Sequence, residues 1–255
     1  MATRPFGYAV FSRNFDRMIR SSDSLTPLSA DVTALLAELH RRSTLREKLI
    51  GRTAHDLAVL DELATAAEPL MIPYLLDAVF TNPGAVSRAA AGVVDAALTR
   101  TPLRALSRLE DECRRKTWYS WPFPARRGWH TLLPVQLAQF HNLGPTELAV
   151  AAVASFHPNG HVREAAVDWL DTLGDPATPY LLLRLNDWVD QVAERARAAM
   201  RARLARVRSD MLVHCLPLLA ALDRTSRRDH SAITDAVRTI RTRLSDWPRS
   251  LTPSR

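Results

Sequence analysis

Apolar residues recur along this chain with helical rather than strand spacing. In Asp31–Leu39, Val32, Leu35, Leu36 and Leu39 stand at i, i+3, i+4 and i+7 behind Asp31 as a capping residue, which puts one apolar stripe on a helix. Asn82-Pro83, Thr101-Pro102 and Asp175-Pro176 mark further starts, because a proline at the first helical position gives up an N–H that has no partner there anyway. Period-two alternation is not sustained, and Asn159-Gly160 is the only hairpin dipeptide set between apolar runs. From Pro145 onward the pattern predicts six helices, about 145–156, 161–173, 176–185, 188–207, 210–222 and 230–244, with short turns that make neighbours antiparallel. The expected fold class is all-α.

Internal comparison adds a repeat. Pro73-Tyr74-Leu75-Leu76 is followed thirteen positions after its proline by Val86-Ser87-Arg88-Ala89-Ala90, and Pro179-Tyr180-Leu181-Leu182 at the same offset by Val192-Ala193-Glu194-Arg195-Ala196. Val162-Arg163-Glu164-Ala165-Ala166 through Leu170 matches the second half of that unit, and Leu148–Phe156 repeats its small residues at Ala151-Ala152. Small residues let helices approach closely, and the larger apolar residues fill the seam between stacked pairs.

The segment from Asn159 to Pro176 (NGHVREAAVDWLDTLGDP) resembles the second helix and following turn of a HEAT repeat, the helical hairpin that stacks into an α-solenoid. The resemblance is good over 145–208 and fair over 70–100 and 209–244. It implies an α-solenoid of HEAT-like hairpins with this organisation: an irregular N-terminal cap over 1–30, a helical block over 31–117 with one HEAT-like unit, an aromatic and proline-rich loop over 118–130, a repeat array over 131–244 and a tail over 245–255. The competing architecture is a non-repetitive helical bundle.

Charge is uneven. Residues 1–190 carry 20 basic and 21 acidic side chains, whereas residues 191–255 carry 14 and 6, so the net charge of +7 belongs to the C-terminal quarter. Arg195, Arg197, Arg201, Arg203, Arg206 and Arg208 follow one another without an acidic residue. At about 100° per residue on one helix, Arg197, Arg201 and Arg208 share a flank while Val189, Ala196, Met200 and Val207 form the apolar stripe. The resemblance implies that this helix lines a concave wall. The expected function is therefore a non-catalytic scaffold that binds another protein with an acidic surface through Arg197, Arg201 and Arg208, with Trp188 as an aromatic anchor or as a cap on the apolar seam. The alternative is a nucleic-acid binder using the same arginines, whose affinity would fall with salt. A solvated face in an arginine-rich composition is the third reading; Lys48 and Lys116 are the only lysines, a bias that suggests a GC-rich bacterial genome.

Little points to catalysis. The eight glycines never stand closer than eight positions, so phosphate-cradling loops and the nucleophile elbow are absent. Cys113 and Cys215 are too few for a Cys-rich zinc site, and His157 and His161 are separated by Pro158-Asn159-Gly160, so no metal or cofactor is expected. Asp168, Asp171 and Asp175 read as an exposed helix face and, at Asp175, a helix cap. Alkylpurine DNA glycosylases share the HEAT-like architecture, but the Trp-to-Asp spacing of four expected on their helix is absent. Trp118–His130 holds five of the 17 aromatic residues between prolines, a loop read as covering the core where the repeat breaks. With no signal peptide or spanning segment in the sequence, the expected location is cytoplasmic.

Overall fold

The computed structural model describes residues 25–40, 53–81, 83–115, 128–141, 143–225 and 242. Among them the regular elements are all helical. The α-helices are α1 (Ala30–His40), α2 (Thr53–Ala66), α3 (Ile72–Phe80), α4 (Ala85–Arg100), α5 (Leu106–Arg115), α6 (Glu147–Ala154), α7 (Gly160–Thr172), α8 (Thr178–Arg184), α9 (Asp190–Leu204), α10 (Ser209–His214) and α11 (Leu216–Thr225). Short 3-10 turns precede α3, α5, α6 and α8, and a longer one runs over Pro134–Phe140. The predicted helix over 230–244 apart from residue 242, most of the 1–30 segment, residues 118–127 of the aromatic loop and the tail lie outside the described residues.

The apolar stripes become the core. On α1, Val32, Leu36 and Leu39 are buried, as are Ala196, Met200 and Val207 in and just after α9. The repeated units fold as paired helices: α3 lies on α4, α6 on α7 and α8 on α9, while α2 packs on α4 and α7 on α9. Small residues permit the close approach, and all of Ala149–Ala154 on α6 is buried. Two elements reach beyond their neighbours in the chain. The 3-10 turn Leu103–Ala105 packs against α11, which also touches α8, and α5 packs against α3. α8 is buried along its whole length, Thr178 to Arg184.

Two glycines answer definite demands. Gly174, between α7 and the next turn, has φ +71° and ψ −163°, a region essentially reserved for glycine that an L side chain enters at a cost of about 1–3 kcal/mol. A Cβ on Gly128 would stand 2.8 Å from the Thr81 backbone, so only glycine lets the end of the aromatic loop approach α3. That approach seats Trp129 in the core, 5.3 Å from the Phe80 ring and 4.4 Å from His157, with its backbone N–H donating to Asp77 Oδ1 at 2.8 Å. Trp129 therefore covers the core, as the loop reading anticipates for this residue.

Asp175 differs from the sequence reading. It does not cap α8: the turn Asp175–Ala177 comes first, and the Asp175 carboxylate accepts the backbone N–H of Arg208 at 3.1 Å instead. The local sequence points to a cap, but the hydrogen bond this side chain makes spans 33 residues.

Candidate functional site

Buried charge, and not the exposed arginines, organises the most structured polar region. Arg163 on α7, Arg184 at the end of α8 and Asp187 in the α8–α9 turn are all buried, and Glu110 on α5 joins them. Asp187 holds Arg163 in a fork: Nε and Nη2 each donate to a carboxylate oxygen at 2.8 Å. Arg163 Nη1 donates to the carbonyls of His157 and Pro158, both at 2.9 Å. Arg184 donates to Asp187 at 2.9 Å and to the Ser155 carbonyl at 2.8 Å, and it pairs with Glu110. Arg114 closes the cluster on Glu110 and donates from Nε to the Phe156 carbonyl. Each charge is thereby paired and hydrogen-bonded, the condition under which buried ions persist.

The electrostatics follow from this geometry. Burial opposes ionisation of Asp187, but the hydrogen bond from Arg163 and the charges of Arg184 and Arg163 outweigh it and hold the carboxyl below its ordinary range. Burial likewise opposes the Arg184 cation, and Glu110 and Asp187 more than restore it, whereas at Arg114 burial prevails and lowers the pKa. Nearby His157 is pushed down to about 4, chiefly by burial, and is neutral. Its Nδ1 accepts the Asn159 N–H at 2.9 Å and its Nε2 faces the Trp129 carbonyl at 2.7 Å, so the proton sits on Nε2. The Asn159 side chain caps α7 by accepting the His161 N–H at 3.0 Å.

Trp188 lies on the outer side of this cluster. It is 56% exposed, and the Arg163 guanidinium stands 5.4 Å from its ring centre, so the residue that Asp187 clamps in turn supports the indole. Beside it is a recess of about 170 Å³ between α5 and the α8–α9 turn, lined by Ser107, Arg108, Asp111, Arg114, Trp188 and Leu222 among others.

The sequence-predicted residues do not form one column. α9 ends at Leu204, and Arg208 lies beyond it with extended backbone at the start of α10, its guanidinium bound to Asp210 at 2.7 Å. Arg197 is partly exposed and Arg201 exposed on α9; the latter stands eleven residues past Asp190, about 16 Å along the helix from the Trp188 end. The other arginines of the run divide. Arg195 is paired with Asp168 at 2.9 Å, and Arg203 is buried, donating to the Leu170 and Asp171 carbonyls at the end of α7. A shared flank requires an uninterrupted helix through 208; the chain turns at Ala205, so Arg208 takes a different direction.

Arg163, Arg184, Asp187 and Glu110 were missed as a site, though a signal existed. Glu110 follows Leu106 and precedes Cys113 at i+4 and i+7, and Arg163 stands with Ala166, Val167 and Leu170 at the same spacing. A charged residue at a stripe position is a buried-charge signal. Among the described residues no group of three or more His, Cys, Asp or Glu side chains could hold a metal, and no helix is long and apolar enough to cross a membrane. Comparison with protein-family models, with curated proteins and with solved structures finds no match for this chain.

Proposed function

We propose that this chain is a HEAT-like array of helical hairpins that serves as a non-catalytic scaffold for another protein, with Trp188 as the anchor of its contact surface. The paired helices α6–α7 and α8–α9, and the Pro-Tyr-Leu-Leu units shared by α3 and α8, support the hairpin reading. One observation carries the binding reading: a large aromatic side chain is 56% exposed yet held on a guanidinium that a buried carboxylate fixes. Such an indole presents wide contact area with little ordering left to do, the property of interface hot spots. The arginine run supports this reading less than its sequence suggests, because Arg195, Arg203 and Arg208 are engaged within the chain.

The test is affinity purification from native host extract with wild-type protein and with Trp188→Ala, folding being checked by circular dichroism. Specific partners recovered with wild type should fall at least tenfold with Trp188→Ala, a loss of 1.4 kcal/mol or more. An unchanged partner set would overturn the anchor. Salt-sensitive DNA retention lost in Arg197→Glu/Arg201→Glu would replace the protein reading with the nucleic-acid one.

A further inference from the structure

The face around Trp188 differs in charge from the chain as a whole. The chain carries +7, so two copies that meet at random repel each other. Around the recess beside Trp188, the described residues place Arg108, Arg114 and Arg184 against Glu110, Asp111 and Asp187, three charges of each sign. A second copy that approaches with the same face meets no excess of like charge.

Most of these charges are engaged within the chain: Arg114 pairs with Glu110, and Arg184 with Glu110 and Asp187. Arg108 and Asp111 remain. Arg108 is exposed and Asp111 half-exposed, and neither has an ion pair among the described residues. They stand three apart on α5, on one side of the helix, and both border the recess. One free cation and one free carboxylate so placed complement a copy of themselves. A two-fold axis passing between them lays two α5 helices antiparallel and sets each Arg108 against the partner's Asp111.

Trp188 completes the match. Arg163 is fully buried and its guanidinium stands over one face of the indole, so the 56% exposure of Trp188 belongs to the opposite face and the ring edge. A dry cavity of about 150 Å³ holds one benzene ring, and small-molecule sites usually run about 300–1,000 Å³, so a recess of about 170 Å³ suits the six-membered ring of an indole better than a nucleotide or cofactor. Because Trp188 lines the same recess as Arg108 and Asp111, the axis that pairs those charges also brings each indole to the recess of the other copy, free face against free face.

We infer that the molecule held at Trp188 is a second copy of this chain, bound through a self-complementary face made of α5 and the α8–α9 turn. This rests on Trp188 as the anchor of the contact surface and names the partner it holds.

The test follows the molar mass of the full chain by sedimentation equilibrium from micromolar to millimolar concentration, with circular dichroism as the check on folding. Wild type should rise from 28.5 kDa toward twice that value, and the indole N–H signal of Trp188, assigned with Trp188→Phe, should move with concentration. Trp188→Ala, Arg108→Glu and Asp111→Arg should each weaken self-association at least tenfold. Arg108→Glu/Asp111→Arg restores both pairs across the axis and should recover association. An equimolar mixture of the Arg108→Glu and Asp111→Arg chains should form a mixed dimer that neither forms with itself. A monomer at every concentration, a dimer indifferent to all three single variants, or reversed charges that fail to recover when combined would overturn the assignment. If the chain stays monomeric while Trp188→Ala loses its host partners, the second copy is excluded and the anchor holds a different protein. If Trp188→Ala also keeps those partners, both readings fall.

Discussion

His157 shows how one side chain ties stability to pH. Folded, it is neutral with a pKa lowered to about 4, while the unfolded chain takes the ordinary value near 6.5 and so binds the proton more tightly. Stability is therefore full above pH 6.5 and falls by roughly 3 kcal/mol between there and pH 4, where the folded histidine also protonates. Urea unfolding across that range should show the slope, and His157→Gln should flatten it. Asp187 acts further toward acid. Its folded pKa lies below the unfolded one, so its contribution is present above the ordinary carboxylate range and is lost as pH drops through the lowered value. Gly174→Ala should cost about 1–3 kcal/mol in the same assay, since φ +71° with ψ −163° is a region essentially closed to alanine; an unchanged midpoint would mean that the turn relaxes.

At the level of elements, the two buried arginines of α7 and α9 make opposite predictions. Arg163 uses Nε, Nη1 and Nη2, and its fork partner Asp187 also serves Arg184, so Asp187→Ala strands two buried cations and should cost about 3–5 kcal/mol. Arg203 leaves Nε and Nη1 buried without partners and contributes only through Nη2, so Arg203→Met should change stability by about 1 kcal/mol or less. Equal losses in denaturant melts of the two variants would contradict this ranking. The helices were legible because their stripes obey the 3.6 period: Val32, Leu36 and Leu39 are buried as spaced. The end of α9 was not, since Ala205–Arg208 contains neither glycine nor proline to announce the turn. Trp188 was readable as a candidate contact, whereas its support was not, because a pairing across 24 residues such as Arg163 with Asp187 leaves no local trace.

Over the whole molecule, α11 lies against Leu103–Ala105, a contact across more than a hundred residues of chain. A strict array touches only adjacent repeats, and its parts can open one at a time. Here a defect in α11 should be felt at residues 103–115. Leu218 is fully buried, and Leu218→Ala should cost about 2–5 kcal/mol. Amide exchange should then quicken in 103–115 as well as in 216–225, and a change confined to α11 would show that the two regions open independently.

The enclosure of α8 gives the molecule an internal clock. A thiol placed at Leu181 would meet no reagent while its neighbours hold, so its rate of chemical labelling would count the moments at which the surrounding layers part. The same enclosure makes this short stretch an unforgiving place for an inserted tag.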